Sequence, residues 1–418
     1  MPRSEGNVSG RESHPAIKRI RSAVQEFSFT SGTVKVPVEF CDLYFKPDPV
    51  KSNAESLNLA NATPEQLDKL ISVCDAAPFG RGAETVMDES YRKALKLELS
   101  QFATPFDLAA TGILHKIQQD LVDTDATLRR LIRAEPYKLN IYDKGAFFKQ
   151  HKDTPRAENM FGSLVLVFPT AHEGGSLILT EKDQEWSFDA PKLLFGSTPT
   201  SPEVAYVAFY SDITHEVKPV TSGARVTLTY NLYFDKVGNS VKNVSDISVA
   251  KYSAVKEALR ELLADSTVFQ EPYENTCLCF GLAHQYPVNR GESSLAYNLS
   301  ELPKYLKGSD ALLYRVCNDL GLDTSLRVIY EDKGYYAESE AFLGRDFIGD
   351  IDGEVEGGLV ELCEGMEPLY REDGEGTPLL WVTKRTGLTG IESHYIAYGN
   401  EASLATAYGE ACIIARPA

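Results

Sequence analysis

The chain has 418 residues, of which 43% are hydrophobic and 10% aromatic, so it can bury a substantial core in one large domain or in two smaller ones. Its 60 acidic residues outnumber the 42 lysines and arginines, and the formal charge of −18 disfavours nucleic acid or an anionic membrane as the main partner. The seven cysteines include no C-x-x-C pair and the first residues form no apolar signal segment, which predicts reduced thiols and a cytoplasmic or nuclear location.

The predicted elements begin after residues 1–25, a polar and basic segment that we expect to be a flexible N-terminal arm. Residues 33–45 are rich in β-branched and aromatic side chains, which predicts one or two strands. Thr63, Pro64 and Gln66 then predict the start of a helix with a capping box. Further helices are predicted over 90–99, 106–122 and 127–133.

From Tyr137 the hydrophobic period changes from that of a helix to two, which is typical of strands. Clusters of Gly, Pro, Asp and Thr separate the strand-like segments, which are KLNIY, SLVLVF, SLILT, KLLF, VAYVAFY and RVTLTYNLYF. Several short strands at this spacing indicate a sandwich or barrel and not alternating strands and helices. Residues 137–235 are therefore predicted to form a compact β unit.

A polar boundary at 236–246 separates this unit from a region that mixes helices and strands. Helices are predicted over 248–264 and 309–320, with strands in CLCFGL, SLRVIYE, LLWVTK and ACIIAR. Cys277 and Cys279 are expected to pack in the core, because C-x-C on an apolar strand is usually structural. The predicted fold class is α+β, with a domain over 26–240 and a mixed α/β domain of unknown role over 247–418.

Two histidines, a carboxylate and an arginine form an ordered set. His151 and Asp153 are two residues apart, His215 follows a later strand, and Arg225 lies ten residues beyond it. On an extended segment, residues two apart point to the same side, so His151 and Asp153 can bind one ion. Two histidines and one carboxylate occupy one face of a metal and leave the opposite positions open, which is the arrangement of non-haem Fe(II) oxygenases.

Arg225 opens the strand RVTLTYNLY, in which alternation places it on the same face as Thr227 and Thr229. A buried arginine that faces a barrel interior requires an anion. Its planar guanidinium, with the Thr227 hydroxyl beside it, suits the distal carboxylate of a dicarboxylate ligand. Tyr142, on the strand before the H-x-D pair, is a candidate for a further hydrogen bond to that carboxylate, with simple core packing as the alternative.

Three segments, YKLNIYDKGAFFKQHKDTPR, EGGSL and HEVKPVTSGARVTLTY, resemble the iron- and 2-oxoglutarate-dependent dioxygenases, specifically their prolyl 4-hydroxylase-like branch. The resemblance covers 137–235, and the flanks FGRGAETVMDESYR and YIAYGNEAS resemble those of large, uncharacterised fungal members. It implies a double-stranded β-helix (jelly roll) core with flanking N-terminal helices. It also implies Fe(II) as the metal and 2-oxoglutarate and O2 as co-substrates, with ascorbate as a further candidate cofactor.

The resemblance assigns roles residue by residue. His151, Asp153 and His215 correspond to the catalytic iron ligands, and Arg225 corresponds to the 2-oxoglutarate anchor, assisted by Tyr142 and Thr227. The implied reaction is oxidative decarboxylation of 2-oxoglutarate to succinate and carbon dioxide, coupled to hydroxylation of a second substrate. Collagen prolyl 4-hydroxylases commonly carry lysine at the anchor, so the arginine disfavours a collagen-type substrate. Related halogenases replace the carboxylate ligand by a small residue, so Asp153 favours a hydroxylase.

Other polar residues near the motifs receive weaker expectations. His172 in AHEGGSL is expected in a solvent-exposed turn and not at the metal, with Gly174 and Gly175 permitting that turn through positive φ. Three charged residues of the N-terminal segment are candidates for the substrate mouth, although surface charge explains them equally well: Arg81, Glu84 and Arg92.

The sequence leaves several functions open. The favoured substrate is a protein side chain, with proline as one candidate, or a small amino-acid-like molecule. A binding or scaffold protein whose β-helix senses iron, oxygen or 2-oxoglutarate is an alternative from another class. An oxygenase of nucleic-acid bases would need an extruded base and a basic groove, which the net charge disfavours. A cupin-like enzyme with a non-redox metal would have no need of Arg225. The sequence predicts neither an oligomeric state nor a role for the C-terminal region.

Overall fold

The structure is a computed structural model that describes residues 11–25, 28–47, 53–81, 84–122, 130–181, 184–196, 201–237, 246–270, 273–289, 296–332, 340–348, 366–369, 376–385, 406–409 and 411–417. Its architecture mixes α and β structure, with short helices between many antiparallel strands. The helices are α1 Pro15–Ala23, α2 Pro64–Ser72, α3 Ile113–Ile117, α4 Ala190–Phe195, α5 Asp246–Ala264 and α6 Gly308–Asp319. Short 3-10 helices span Val38–Cys41, Ala109–Thr111, Ser266–Phe269 and Leu299–Tyr305, and a π-helical turn spans Gln118–Val122.

The strands of the first part of the chain are β1 Phe29–Lys35, β2 Asp42–Phe45, β3 Glu55–Asn58, β4 Asp75–Ala76, β5 Phe79–Arg81, β6 Glu84–Val86, β7 Arg92–Lys93, β8 Leu95–Glu98, β9 Phe102–Ala103, β10 Arg130–Tyr142, β11 Phe147–His151, β12 Met160–Val167, β13 His172–Gly174, β14 Leu177–Glu181, β15 Gln184–Phe188, β16 Glu203–Tyr210, β17 Thr214–Val217, β18 Val220–Gly223 and β19 Arg225–Val237. The later strands are β20 Cys277–Gly281, β21 Tyr286–Asn289, β22 Ala296–Asn298, β23 Asp323–Asp332, β24 Glu340–Gly344, β25 Asp346–Ile348, β26 Glu367–Pro368, β27 Leu379–Trp381, β28 Thr406–Gly409 and β29 Cys412–Arg416.

Two antiparallel sheets occupy the region in which the sequence predicts a β unit. The larger has the strand order β1-β16-β12-β19-β10-β8-β4, and the smaller has the order β15-β14-β17-β11-β7. Side chains from both sheets share one hydrophobic core, among them Leu139, Leu166 and Leu228 of the larger sheet and Leu177 and Val217 of the smaller. The candidate site residues therefore lie on strands of these two sheets or directly beside them.

Most of the strongly periodic segments form the predicted elements. Strands occur over KLNIY, SLVLVF, SLILT, VAYVAFY and RVTLTYNLYF, and the two predicted C-terminal helices are α5 and α6. Helix α2 begins with the predicted capping box, in which the Thr63 side chain accepts from the N–H of Gln66 and the Gln66 side chain accepts from the N–H of Thr63. Cys277 and Cys279 are buried on β20, as expected for core residues.

The elements predicted over 90–99 and 192–195 are wrong. Residues 90–99, predicted as a helix, form β7 and β8, which pair with β11 and β10. Their LKLE segment alternates with period two, and pairing with the long strand β10 outweighs the helix propensity of Lys, Leu and Glu. Residues 192–195, predicted as a strand, lie in α4. There the Asp189 side chain caps the N-terminus by accepting from the N–H of Lys192, and Pro191 fits the first turn.

The long helix predicted over 106–122 is shorter than expected. Helix α3 and the π-helical turn together cover 113–122, and residues 130–133, predicted as helical, begin β10. Residues 127–129 lie outside the described residues. The short apolar run of this region does not decide between helix and strand, and pairing with β19 favours the strand.

A second hydrophobic core joins the N-terminal segment to the C-terminal region. Ala16, Ile17 and Ile20 of α1 are buried in this core together with side chains of α5 and α6. Residues 15–23 were expected to belong to a flexible arm, and that expectation is wrong for them because α1 presents an apolar face to α5. The division of the chain into domains at 26–240 and 247–418 stays a prediction. No described helix combines the length and the apolar character needed to cross a membrane.

Candidate metal centre

Two buried histidines of the smaller sheet and a buried carboxylate just after β11 converge on one point. His151 at the end of β11 pairs in register with His215 on β17, and their ring centroids lie 4.1 Å apart. The His215 Nε2 atom lies 3.7 Å from Asp153 Oδ1, and one potential ligand atom from each of the three residues falls within 4.8 Å of the others. Each residue is about 5% exposed or less. The sequence prediction that these three residues meet around one ion-sized position agrees with this geometry.

The tautomer of both histidines favours metal binding. The Nδ1 atom of His151 lies 2.8 Å from the carbonyl oxygen of Lys149, and Nδ1 of His215 lies 3.0 Å from the carbonyl of Ile213. A carbonyl can only accept, so Nδ1 carries a proton, and in the neutral ring Nε2 then carries the lone pair that a metal binds. Hydrogen bonds of this kind fix the tautomer and the ring orientation of metal-binding histidines.

The carboxylate is held in the same way. The Ser163 hydroxyl, on β12 and buried, donates a hydrogen bond to Asp153 Oδ2, which leaves Oδ1 directed towards His215. Ser163 could not be identified from the sequence, because nothing about a lone serine in an apolar strand indicates that it contacts Asp153. Aromatic rings support the imidazoles: Phe148 stacks on His151 with ring centroids 3.5 Å apart, and Phe209 lies 4.7 Å from His215.

Replacing Ser163 by alanine is expected to lower the affinity for Fe(II) about 10- to 100-fold, since partners of ligand side chains typically contribute that much. Isothermal titration under anaerobic conditions measures this affinity. Ser28→Ala is the matched control, because Ser28 is also buried but its hydroxyl has no hydrogen-bond partner among the described residues. Equal affinities for Ser163→Ala and the unmodified protein would show that the contact to Asp153 does not support the metal centre.

Arg225 lines the same cavity as the three convergent residues. It begins β19, is 1% exposed, and pairs in register with Tyr142, whose ring centroid lies 5.4 Å from the guanidinium carbon. Burial lowers the pKa of Arg225 to about 10, which Tyr142 partly counteracts, so the group is still cationic at neutral pH. Its Nε has no hydrogen-bond partner among the described residues. Thr227 and Thr229 line the cavity on the same face, as the alternation predicts.

The absence of a side chain at Gly175 makes room for Arg225. A Cβ atom there would lie 2.9 Å from Arg225 Cδ and 2.8 Å from Val220 Cγ2, and Gly175 has a φ of +69°. Gly174 has a φ of +74°, so both glycines adopt the positive φ that the sequence predicts for this turn.

Gly175→Ala is expected to raise the KM for 2-oxoglutarate about 10-fold, because the collision displaces the guanidinium from its ligand-binding position. Steady-state kinetics over a range of 2-oxoglutarate concentrations measures the change. Gly112→Ala is the control, since Gly112 has a similar φ of +76° but no heavy atom within 4 Å of the new Cβ. If both variants shift the KM equally, backbone strain and not the contact with Arg225 is responsible.

The expectation for His172 changes. His172, expected in an exposed turn, is 5% exposed at the start of β13, with Nδ1 2.7 Å from the carbonyl oxygen of Thr170. The prediction was wrong because His172 lies on β13, which pairs with β18, and the Phe195 ring packs edge-on against the His172 ring with centroids 6.5 Å apart. Burial lowers the pKa of His172, and Arg225 lowers it further. The ring therefore stays neutral, and it is not among the three convergent metal-site residues.

Of the N-terminal charged set, Arg92 reaches the site. It lies on β7, is 4% exposed and lines the cavity beside Phe148 and His151. The side chains of Arg81 and Glu84 lie outside the described residues, although their backbones pair in the β5–β6 hairpin. The sequence signal for Arg92 was weak, because the segment was interpreted as helical and a buried arginine is indistinguishable there from a surface charge.

A buried polar cluster joins the turn before His215 to the C-terminal region. Asp212 accepts a hydrogen bond from Lys307 Nζ at 2.5 Å and one from the N–H of Gln285 at 3.1 Å. His284 Nδ1 lies 3.3 Å from the same carboxylate. Burial raises the pKa of Asp212, but Lys307 and His284 outweigh that effect and hold the pKa well below its usual range.

The same C-terminal turn also contacts the H-x-D segment. Lys152, between the two candidate ligands His151 and Asp153, donates from Nζ to the Gln285 side chain at 2.6 Å. Lys307 Nζ donates to the Gln285 carbonyl at 3.0 Å. The region after residue 247 therefore contacts both chain segments that carry the convergent residues, which gives it a structural role that no motif in the sequence indicated.

Comparisons with known proteins agree with this geometry. Residues 137–233 match the family model described as the 2OG-Fe(II) oxygenase superfamily. The chain contains a 2OG-Fe(II) oxygenase domain. It is accordingly a 2-oxoglutarate-dependent dioxygenase, an oxidoreductase that uses Fe(II), 2-oxoglutarate and O2. A comparison with curated proteins gives no match.

Several solved structures are similar to this oxygenase. A prolyl-4-hydroxylase from Pseudomonas putida is 15% identical, with 53% of this chain and 100% of that chain covered and a TM-score of 0.29. A prolyl hydroxylase from Trichoplax adhaerens, in complex with a hypoxia inducible factor peptide fragment, is 15% identical, with coverages of 56% and 94% and a TM-score of 0.28. A prolyl 4-hydroxylase from Phytophthora capsici is 19% identical, with coverages of 43% and 63% and a TM-score of 0.21. At these identities and scores the comparisons do not identify a substrate of this oxygenase.

The donor set of the cavity fits the two groups that the family requires. Two imidazole Nε2 atoms and one carboxylate oxygen form the set that non-haem Fe(II) oxygenases use, and a buried arginine with neutral neighbours suits a carboxylate. The predicted metal and anchor residues are thus close enough to act together.

Proposed function

We propose that His151, Asp153 and His215 bind Fe(II) and that Arg225 binds the distal carboxylate of 2-oxoglutarate. The observation that carries the proposal is the convergence of three buried ligand atoms within 4.8 Å in a cavity that Arg225 also lines. Two histidines and one carboxylate leave the opposite face of the ion open for co-substrate and oxygen.

The side chains of this cavity have distinct tasks in the proposed reaction. Arg225 binds and orients the dicarboxylate, and Tyr142 and Thr227, which line the cavity beside it, offer further hydrogen bonds to the same carboxylate. The Thr227 hydroxyl donates its single hydrogen to the Asn140 carbonyl at 3.3 Å, so it must rotate away from that carbonyl to donate to the carboxylate. The apolar walls, Val165, Leu177, Phe209 and Val217, exclude water from the reacting groups. Iron, when bound, supplies the activation of O2.

The architecture of the domain is part of the proposal. We propose that the two sheets form a double-stranded β-helix over 137–235 within a domain spanning 26–240. The shared core of the two sheets and their antiparallel order support this arrangement. The region over 247–418 is then a second domain, for which the Asp212–Lys307 contact supports a role in holding the metal-site turns.

The proposed reaction is hydroxylation of a protein side chain, with proline as one candidate, or of a small amino-acid-like molecule. One oxygen atom of O2 enters the substrate as a hydroxyl group, and the other enters succinate as 2-oxoglutarate loses carbon dioxide. The intact ligand set supports catalysis over a scaffold that only senses iron or 2-oxoglutarate. The formal charge of −18 supports a substrate other than nucleic acid.

The test is mass spectrometry of proline-containing peptides and free amino acids after incubation with Fe(II), 2-oxoglutarate and oxygen. The expected result is a gain of one oxygen atom in one substrate class, with succinate formed in equal amount and the product lost in Arg225→Ala. Ligand binding without oxygenated product or succinate, across both panels, would contradict the proposed function.

A further inference from the structure

Arg92 is a buried cation whose partners among the described residues are all neutral. Its Nη1 donates to the carbonyl of Pro78 at 2.7 Å, its Nη2 donates to Asn140 Oδ1 at 3.1 Å, and its guanidinium carbon lies 4.4 Å from the Phe148 ring centroid. The Nε atom has no hydrogen-bond partner among the described residues. An arginine keeps its charge when buried, and burying a charge without a counter-ion is costly, so this position favours binding of an anion.

The charges that line the cavity also favour an additional anion. Arg92, Lys138 and Arg225 line it, whereas Asp153 is the one carboxylate among its described lining residues. Fe(II) carries two positive charges and 2-oxoglutarate two negative charges, so their binding leaves the excess of positive charge unchanged. This local excess contrasts with the chain as a whole, which has a formal charge of −18.

Arg92 and Arg225 lie at different positions along the cavity wall. Arg225 pairs with Tyr142 at the start of β19. Arg92 contacts Asn140, which pairs with Thr227 two residues further along the same strands. Asn140 in turn donates to Thr229 at 3.3 Å, on the side away from Arg225. Arg92 also packs on Phe148, which in turn stacks on the His151 ring. The arginine thus lies on the metal side of the cavity, displaced from the 2-oxoglutarate anchor.

We infer that Arg92 binds a carboxylate of the primary substrate, which is a small carboxylic acid of the amino-acid class. The inference rests on the proposed function, because it assigns the substrate of the same site. The planar guanidinium matches a carboxylate with two parallel hydrogen bonds. Since Arg92 is 4% exposed, the anion must enter the cavity itself, which suits a free amino acid better than an internal residue of a polypeptide, whose backbone carries no charge.

The experiment compares free L-amino acids with the corresponding L-amino-acid amides as stimulators of 2-oxoglutarate turnover by the full chain. The amides keep the size and shape of each acid but remove the negative charge. The expected result is stimulation by at least one free acid and about 100-fold weaker apparent affinity for its amide, as the loss of two charge-assisted hydrogen bonds predicts. Equal stimulation by acid and amide, or stimulation by proline peptides but by no free acid, would overturn the inference. So would the absence of stimulation by every compound in the panel.

Variants of Arg92 separate substrate binding from co-substrate binding. Arg92→Met keeps a chain that can pack on Phe148 and should raise the KM for the acid about 100-fold, and Arg92→Lys should raise it less because it keeps the charge. The KM for 2-oxoglutarate should change far less than the KM for the acid. Arg260→Met on α5, where the side chain is 56% exposed, is the control. Equal changes in both KM values would indicate that Arg92 binds 2-oxoglutarate, which would overturn the inference.

The proposed function can stand even if this inference fails. If the protein forms an Fe(II)–2-oxoglutarate complex and oxygenates a peptide or a neutral compound, the proposed function is supported and the inference about Arg92 is contradicted. A protein that forms no such complex contradicts both.

Discussion

Asp153→Ala is expected to lower the affinity for Fe(II) by about 100-fold or more and to abolish substrate oxygenation. Loss of a hydrogen-bonded partner of a ligand costs about 10- to 100-fold in metal affinity, so loss of a ligand itself should cost at least as much. The variant also leaves the Ser163 hydroxyl without its acceptor in a buried position. Titration with Mn(II), followed by electron paramagnetic resonance, measures the affinity with a metal that resists oxidation.

The matched control for Asp153→Ala is Asp68→Ala, which removes an exposed carboxylate from α2. It should bind Mn(II) with unchanged affinity. Unchanged Mn(II) binding by Asp153→Ala, at a folded fraction equal to that of the unmodified protein, would exclude Asp153 as a ligand.

Lys307→Met is expected to destabilise the fold by about 3 to 5 kcal/mol, because it leaves the Asp212 carboxylate buried without its cation. The two side chains are 1% and 6% exposed, and both also hydrogen-bond to the turn that contains Gln285. Metal affinity should fall as well, since Asp212 lies three residues before His215 and its displacement moves that ligand. Urea denaturation measures the stability, and Mn(II) titration of the folded protein measures the affinity.

The control for Lys307→Met is Lys304→Met, in the neighbouring 3-10 helix, where the lysine side chain is 61% exposed. It should change the stability by no more than about 0.5 kcal/mol. The double variant Asp212→Asn with Lys307→Met removes both charges and should recover part of the loss. A Lys307→Met protein as stable as the control would show that the buried ion pair is not needed to join the C-terminal region to the metal-site turns.

The H-x-D spacing and the face of β19 could be predicted from the sequence because their determinants are local, whereas His215 comes from a distant strand. His151 ends β11 and Asp153 follows it by two residues, and strand alternation places Arg225 and Thr227 on one face of β19. The strong period of the segments over 137–235 likewise produced strands at the expected places. KLLF was the exception, because Asp189, which caps the helix that contains KLLF, precedes these four residues.

The parts that the sequence did not predict depend on contacts between distant residues. Ser163 acts through Asp153, and Asp212 pairs with a lysine that lies 95 residues further along the chain. No local pattern marks such partners. Arg92 was assigned to a helix because its segment is rich in helix-forming residues, whereas pairing of β7 with β11 directs the side chain into the cavity. The buried face of α1 was missed because it has few apolar residues and acquires its partner from α5.

The most direct test of the central claim is an anaerobic titration of 2-oxoglutarate into the Fe(II)-loaded protein, followed by the visible charge-transfer band of the complex. We expect a saturable band in the unmodified protein and no band in Asp153→Ala. In Arg225→Ala the midpoint should shift about 100-fold to higher 2-oxoglutarate concentration, as the loss of two charge-assisted hydrogen bonds predicts. An unmodified protein that forms no band, or an Arg225→Ala variant with an unshifted midpoint, would contradict a shared site for iron and 2-oxoglutarate.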